Sequence, residues 1–420
     1  MTSIRDEPGL RSETIRRANL SSIVRVLHAE GPMSRTGLVA RTGLTRSAIR
    51  GLIGELATGG LVSEGRAAPL GTPGRPSPLV FAQPDGAVVL ALDIEVDSLA
   101  AALIGLGGDV LEHVRVDRRR GHSSLAAIVD DLAQLASIVV ARRPGPLSTI
   151  GIGVAVCGVV RRADGLVSMA PNLGWKDQPL GDRLARVLGD EIPISVANEA
   201  DLGALAEVRR GAAFGADHVL FISGEVGVGG GLIVEGRPFT GVAGYGGEVG
   251  HMAVNRDGRV CSCGAVGCWE TEVGAMALLR RAGRAPHGGR LEVEALLRDA
   301  ESGSPRALAA LDETGRWLGL GLAGLLNVLN PRLVVFGGLF QRIHPYVAGI
   351  VDAELDRRAL PAPRRLVRVV AGSLGDEAPL IGAAELAFEP VLADPSGWLR
   401  RSTDNRVRKH AKLTDRRVVA

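Results

Sequence analysis

The sequence predicts a small, mainly helical N-terminal unit of the winged helix-turn-helix type, followed by two α/β lobes with a cleft between them. Three short segments with apolar residues at helical spacing occupy residues 14–58. From residue 87 onward, apolar runs of strand length alternate with helical patterns, as in α/β proteins. A second series of this kind begins near residue 219, which indicates a second lobe.

The charge is distributed unevenly over the 420 residues. The net charge is +3, but residues 1–82 and residues 391–420 each carry a net +5, which leaves −7 in between. Basic ends on an acidic body favour a polyanionic partner at one end, although solvated basic tails would give the same distribution. No apolar run of about 18 residues follows the polar N-terminus, so we expect a cytoplasmic protein without a membrane span.

The first element is a helix predicted over residues 14–30, with Ile15 and Ile23 on its apolar face. Ser34 can cap a short second helix, and a turn at 42–44 leads to Thr45, the cap of a third helix. Two short helices joined by a three-residue turn that contains glycine are typical of a helix-turn-helix. We therefore expect a winged helix-turn-helix DNA-binding domain over residues 14–64.

The exposed start of the third helix is the predicted DNA-contacting surface, because such a position reaches base edges and phosphates in a major groove. The alternative is an ordinary three-helix cap with a solvated basic face. The predicted contact residues in the helices are Ser34, Thr45, Arg46, Ser47 and Arg50.

A wing and linker rich in proline and glycine are predicted over residues 65–86. Within it, Pro73-Gly74-Arg75-Pro76 resembles the core of an AT-hook, so Arg75 is a further predicted DNA contact in the minor groove. The alternative is a rigid linker that happens to contain one arginine.

The first α/β lobe is predicted over residues 87–198 and the second over residues 199–390, with a closing helix near 378–388 that returns to the first lobe. Residues 391–420 are basic and poor in apolar side chains, which predicts a disordered tail. Such a tail would add nonspecific DNA affinity or would simply be solvated.

Three of the four cysteines lie close together and close to a histidine. The pattern H-x9-C-x-C-x4-C offers four zinc-type ligands in one segment, and four protein ligands close the shell of a structural Zn²⁺. Free cysteines in a loop are the alternative, and Cys157 lies apart. The predicted metal ligands are His251, Cys261, Cys263 and Cys268.

Residues 243–270 resemble the signature of the ROK family, which comprises repressors, uncharacterised reading frames and sugar kinases. Residues 171–175, 198–201 and 227–231 agree with it, and the resemblance extends over about 14–390. The helix-turn-helix resembles that of the repressor branch, in particular its xylose-repressor type. The resemblance implies an actin-like, sugar-kinase (ribonuclease H-like) ATPase fold.

The resemblance also implies a sugar site, since the matching residues of family members hold hexose hydroxyls or lie beside them. His251 could bind zinc through one ring nitrogen and a sugar through the other. The residues so implied are Asn172, Asn198, Glu199, Glu248, His251 and Glu270.

The phosphate loops depart from the pattern of the family's kinases. Those kinases carry Asp-Ile-Gly-Gly-Thr after the first strand, where this chain has side chains at Glu95 and Val96 followed by Asp97. The second loop, Gly-Thr-Gly in kinases, contains Glu225, and the catalytic Asp is replaced by Glu199. Carboxylates at these places repel nucleotide phosphates, so we expect no kinase activity.

The sequence thus predicts a repressor of carbohydrate metabolism genes whose operator binding is controlled by a monosaccharide or derivative. It would act as a homodimer or homotetramer on double-stranded operator DNA, associated with the nucleoid. The alternatives are an active ROK sugar kinase with an accessory DNA-binding domain, and an architectural DNA-binding protein whose body serves only to oligomerise.

Overall fold

The computed structural model describes residues 8–65, 78–118, 121, 123–143 and 149–400. Its N-terminal elements are α1 (Pro8–Glu30), β1 (Met33–Ser34), α2 (Arg35–Thr42), α3 (Arg46–Thr58), β2 (Val62–Gly65) and β3 (Leu79–Ala82). The three strands form an antiparallel sheet in the order β1-β3-β2. The chain between β2 and β3, with the predicted contact Arg75, lies outside the described residues, as do residues 401–420.

Local capping signals set the boundaries of α2 and α3. Ser34 Oγ accepts a hydrogen bond from the Gly37 amide, and Thr45 Oγ1 accepts one from the Ala48 amide. Gly43 ends α2 with φ 70°, the left-handed conformation that glycine adopts without steric cost. The caps predicted for these two helices are therefore present.

The first helix is longer than predicted, because it begins at Pro8 rather than near residue 14. Proline is compatible with the first turn of a helix. All residues from 12 to 18 are exposed, including Ile15, which the periodicity placed on the apolar face. Only the second half of α1, with Leu20, Ile23 and Leu27, enters the core.

The first lobe contains a five-stranded sheet with a smaller antiparallel sheet beside it. Its elements are β4 (Val88–Ile94), β5 (Ser98–Gly105), β6 (Val110–Asp117), α4 (Leu125–Ala141), β7 (Thr149–Val156), β8 (Val159–Arg161), β9 (Leu166–Ala170), β10 (Trp175–Gln178), α5 (Leu180–Leu188) and β11 (Ile194–Asn198). The main sheet has the order β11-β7-β4-β5-β6. Every residue of β4 and β5 is buried, which accounts for their continuous apolar runs.

The second lobe repeats this arrangement. Its elements are α6 (Glu199–Arg210), β12 (Val219–Gly224), β13 (Val228–Val234), β14 (Arg237–Pro238), α7 (Glu270–Val273), α8 (Ala275–Arg281), α9 (Gly289–Glu301), α10 (Pro305–Leu329), β15 (Leu333–Gly337), α11 (Gly338–Arg358), α12 (Pro361–Leu366), β16 (Arg368–Ala371) and α13 (Ala378–Ala393). The sheet order is β14-β13-β12-β15-β16, so an antiparallel triplet is again followed by two parallel strands. Among the described helices, none has the length and apolarity needed to cross a membrane.

The first ten residues of the predicted disordered tail are ordered. The last helix, α13, continues to Ala393, and residues 395–400 are helical. Leu392 and Leu399 are buried, and Trp398 packs against the same cluster. The prediction of disorder was wrong for residues 391–400. It was based on the composition of the whole segment 391–420, in which basic residues outnumber these few apolar side chains.

The N-terminal unit and the first lobe share one hydrophobic core. Leu20 and Leu27 of α1 lie in the same buried cluster as Leu380 and Phe388 of α13, which itself packs on β4, β7 and α6. The Ser21 hydroxyl also donates a hydrogen bond of 2.6 Å to the Leu392 carbonyl. The N-terminal helices are therefore held by packing as well as by the chain that follows them.

Candidate functional site

A cleft between the two lobes contains all six residues that the sequence indicates for sugar binding. Its volume is about 790 Å³, part of it open to solvent. These residues belong to separate segments of the chain, and the two sheets bring them together at one place. They are Asn172, Asn198, Glu199, Glu248, His251 and Glu270.

Asn198 and Glu199 lie where β11 ends and α6 begins. The Asn198 side chain accepts a hydrogen bond of 2.8 Å from the Ala200 amide and donates one of 2.8 Å to the Gly158 carbonyl. It therefore caps α6 and ties the helix to the first lobe. Within the described chain Glu199 has no hydrogen-bond partner, and burial together with nearby carboxylates raises its pKa well above the usual range.

Glu248 immediately precedes a short 3₁₀ turn at Val249–His251, and His251 is the last residue of that turn. Their side chains approach each other, with His251 Nε2 at 3.9 Å from Glu248 Oε2. Burial raises the pKa of the Glu248 carboxyl, and the imidazole opposes that shift. One ring nitrogen of His251 is thus directed toward the acidic cleft.

Asn172 and Glu270 face each other across Gly227. A Cβ atom on Gly227 would lie 2.9 Å from Glu270 Oε2 and 3.7 Å from Asn172 Nδ2. Any side chain at this position would therefore crowd Glu270. Glu270 Oε1 also lies 2.8 Å from Cys261 Sγ and 3.3 Å from Ser262 Oγ, which connects the cleft to the cysteine-bearing loop.

Three further carboxyl groups line the cleft, at the two loops that depart from the phosphate-binding pattern of the kinases. They are Glu95, Asp97 and Glu225. Glu95 and Val96 stand where the kinases have two glycines, Glu225 stands between the two glycines of the second loop, and all three line the cavity wall. Burial raises the pKa of Glu225 to about 7, although an arginine lies beside it. The cleft wall thus carries six carboxyl groups and, among the described residues, no lysine or arginine.

Two arginines that sequence reasoning missed form ion pairs with acids of this region, although neither arginine lines the cleft itself. Arg115 on β6 lies 3.3 Å from Glu95 Oε2 and 3.4 Å from Asp93 Oδ2, and Asp93 is completely buried. Arg342 on α11 lies 2.9 Å from Glu225 Oε1. No sequence signal identified them, because each partner is remote in the chain.

The predicted metal ligands form a compact cluster next to the cleft. The ligand atoms of His251, Cys261, Cys263 and Cys268 all lie within 4.8 Å of one another. Cys263 Sγ and Cys268 Sγ are 3.7 Å apart, and Cys261 Sγ is 3.6 Å from His251 Nδ1. Tetrahedral zinc with bonds of about 2.3 Å to sulfur requires sulfur–sulfur distances of about 3.8 Å, so the donor set fits a structural Zn²⁺.

The predicted DNA contacts at the start of α3 are exposed. Thr45, Arg46, Ser47 and Arg50 all face solvent, whereas Ser34 is half-buried and occupied as the cap of α2. Thr45 is likewise a cap, and its hydroxyl lies 3.1 Å from that of Ser47.

The arginines around α3 differ in their pairing. Within the described ranges Arg46 and Arg50 form no ion pair. Arg35 and Arg41, by contrast, are paired with Glu64 and Glu30.

Residues 89–389 match the model of the ROK family. The xylose repressor of Bacillus subtilis is 28% identical over 381 residues, which are 90% of this chain and 97% of that repressor. A glucokinase of Streptomyces coelicolor is 31% identical over 322 residues, which are 72% of this chain and 98% of that enzyme.

Two solved structures resemble this chain, one over nearly its whole length and the other over 72% of it. The crystal structure of a ROK family transcriptional regulator, a homolog of the E. coli MLC protein, gives a TM-score of 0.74 at 24% identity and covers 92% of this chain and 98% of its own. A ROK family glucokinase from Streptomyces griseus, in complex with glucose and AMPPNP, gives a TM-score of 0.63 at 27% identity. It covers 72% of this chain and 99% of its own. The sugar-kinase-like fold predicted for the two lobes is thereby confirmed.

Proposed function

This chain belongs to the ROK family, and on that basis we propose that it is a sugar-responsive transcriptional repressor of carbohydrate metabolism genes. The extent of the similarity carries the proposal. The likeness to a xylose repressor covers 90% of the chain, whereas the likeness to a glucokinase covers 72%, close to the share of the two lobes alone. A repressor relative therefore has a counterpart for the N-terminal unit as well as for the body.

In this proposal the N-terminal unit is a winged helix-turn-helix. The start of α3, with Arg46, Ser47 and Arg50, would enter the major groove, and Ser34 and Thr45 would lie next to phosphates. The strands β2 and β3 would form the wing. Arg75, between these strands, is proposed as a minor-groove contact from the sequence alone.

The cleft is proposed to have lost kinase chemistry. A carboxylate about 4 Å from a phosphate charge is repulsive by about 1 kcal/mol in water and about 4 kcal/mol at a dielectric constant of 20. Glu95, Asp97 and Glu225 all line the cleft wall. The 31% identity to a glucokinase favours one alternative, an active ROK sugar kinase with an accessory DNA-binding domain, which a coupled ATPase assay would detect.

The His251–Cys261–Cys263–Cys268 cluster is proposed to hold a structural Zn²⁺. Four protein ligands leave no coordination position for water, so the metal would supply rigidity to a glycine-rich loop rather than catalysis. His251 would use Nδ1, which faces Cys261, and would keep Nε2 toward Glu248 and the sugar.

Helix α6 offers a direct connection between the proposed sugar site and the DNA-binding unit. Its first residues, Asn198 and Glu199, line the cleft, and its last residue, Arg210, lies about 18 Å away along the helix. There Arg210 donates to the carbonyls of His28 and Gly107, each at 2.7 Å.

The charge of Arg210 is balanced by a buried acid on α13. Arg210 Nε donates to Glu385 Oε1 at 2.7 Å, and the second oxygen of Glu385 lies 3.0 Å from His28 Nε2. A shift of α6 on sugar binding would therefore act on α1 through this network. We propose that the shift releases the operator.

A homodimer or homotetramer is proposed, because two N-terminal units would match a palindromic operator with half-sites about one helical turn apart. Such a regulator would act in the cytoplasm on the nucleoid, with a monosaccharide or derivative as effector.

The test is a thermal-shift panel of sugars on the full-length protein, followed by operator binding with and without the sugar that stabilises it. A sugar at about 100 times its Kd should add about 2.7 kcal/mol of stability. Glu248→Ala should lose sugar stabilisation and keep operator binding, whereas Glu191→Ala, at an exposed glutamate, should behave as wild type. Absence of stabilisation by every sugar, or sugar-dependent ATP turnover, would contradict the proposal.

A further inference from the structure

A second chamber adjoins the cleft at the cysteine-bearing loop. Its volume is about 1140 Å³, including space open to solvent. Asn172, Val226, Ser262 and Glu270 line both cavities, so the two adjoin along these residues. A ligand larger than a single sugar ring could therefore extend from one into the other.

The two cavities differ in charge. Six carboxyl groups line the cleft, whereas the wall of the chamber carries Arg259 and Arg280 and only one acid, Glu270. The acids at Glu95 and Glu225 belong to the cleft and not to the chamber. A bound molecule would thus meet negative charge at one end and positive charge at the other.

The two chamber arginines have no acidic partner within the described part of the chain. Arg259 forms no ion pair, and Arg280 donates only to the Thr271 carbonyl, at 3.2 Å. The adjacent Arg281, in contrast, is paired with Glu272 at 2.9 Å. Burial and the charges of Arg259 and Arg281 lower the pKa of Arg280, and the charge of Glu272 opposes this shift only in part.

We propose that the effector is an anionic sugar derivative, whose ring occupies the cleft and whose phosphate or carboxylate lies in the chamber beside Arg259 and Arg280. This inference rests on the proposed sugar-binding function of the cleft. Guanidinium groups bind both anions through charge-assisted hydrogen bonds, and Arg259 and Arg280 both line the chamber. The acids of the cleft would exclude the opposite orientation.

Calorimetric titration with matched sugars tests the inference. Each neutral aldose is compared with its 1-phosphate, its 6-phosphate where that exists, and its uronic acid, so that phosphate and carboxylate are distinguished. One anionic form should bind wild type about tenfold to a hundredfold more tightly than its neutral parent. The double variant Arg259→Ala/Arg280→Ala should lose that excess and retain the affinity for the neutral sugar. Arg256→Ala, an exposed arginine of the same loop, is the control.

The outcomes separate this inference from the proposed function. Neutral sugars that bind as tightly as every anionic form, or an anionic preference that survives the double variant, would overturn the inference alone. If no sugar of either kind binds, the proposed function fails as well. A double variant that keeps the anionic preference but binds operator DNA more weakly would show that these arginines contact DNA instead.

Discussion

Arg46 and Arg50 stand out among the arginines of the N-terminal unit, because they are exposed and unpaired within the described chain. Arg35 and Arg41, in contrast, form ion pairs with neighbouring glutamates. An unpaired guanidinium at the start of a recognition helix loses no internal ion pair when it meets a phosphate or a guanine. The pairing pattern therefore supports the proposal that Arg46 and Arg50 contact DNA, whereas Arg35 and Arg41 form ion pairs within the unit.

Replacing Arg46 or Arg50 by alanine is expected to weaken operator binding by about 1–3 kcal/mol without loss of thermal stability. Fluorescence anisotropy with a labelled operator measures the change. Arg298→Ala, an exposed arginine on α9 in the second lobe, should leave affinity unchanged. Equal effects from all three variants would point to nonspecific electrostatics in place of a defined contact.

The success of sequence prediction at single residues depends on how local the signal is. The caps Ser34 and Thr45 and the Cys/His cluster follow from spacing within a few residues, and the structure contains all of them. Arg115, Arg210 and Arg342 donate hydrogen bonds to groups as far as 261, 182 and 117 residues away, so no window of sequence reveals them. The residues proposed for sugar binding were identified through a family resemblance.

Among the elements, α6 has the most consequential position, since one helix meets the cleft at its start and the N-terminal unit at its end. A rigid helix transmits a displacement over its full length, which a loop of the same span would absorb. Periodicity predicted neither this role nor the docking of residues 395–400, because both depend on which elements pack together.

Arg210→Ala is expected to reduce the effect of the sugar on operator affinity while the sugar affinity of the free protein changes little. Couplings of this kind are worth about 1–3 kcal/mol, so the induced change in Kd should shrink by up to about 100-fold. Operator titrations at zero and saturating sugar measure it.

The matched control for Arg210 is Arg209→Ala, the preceding residue, which approaches Glu389 only at 3.9 Å. Arg210→Lys retains the charge and separates loss of coupling from loss of folding. Coupling that persists in Arg210→Ala would rule out the proposed route through α6.

In the molecule as a whole, the joint between the N-terminal unit and the body is a buried ionic network inside a shared core. Burial alone would raise the pKa of the Glu385 carboxyl. The hydrogen bond and charge of His28 and the charge of Arg210 outweigh burial and hold this pKa at about 2. The folded pKa thus lies below the ordinary value of 4.5. Ionised Glu385 therefore stabilises the fold above about pH 4.5, and this contribution is lost as the pH falls toward 2.

Glu385→Gln should lower the free energy of unfolding at pH 7 by about 3 kcal/mol, the equivalent of a shift from 4.5 to about 2. The difference in the free energy of unfolding between this variant and wild type should shrink as the pH falls from about 4.5 to 2. Urea unfolding across this range measures it. The control is Glu389→Gln. Glu389 lies on α13 like Glu385, is half-exposed and pairs with Arg25 of α1, so its replacement should lower the free energy of unfolding by at most about 1 kcal/mol. A deficit independent of pH would show that packing, and not the ionised carboxylate, is responsible.

The shared core also determines when the N-terminal unit can finish folding during synthesis. The apolar face of α1 is covered by α13 and residues 395–400, which are synthesised more than 340 residues after α1. At about 5–20 residues per second, that face waits roughly 20–70 s for its cover after α1 has emerged. A nascent chain that ends before α13 would thus leave Leu20, Ile23 and Leu27 uncovered, the kind of transiently exposed apolar surface that makes folding intermediates prone to aggregate.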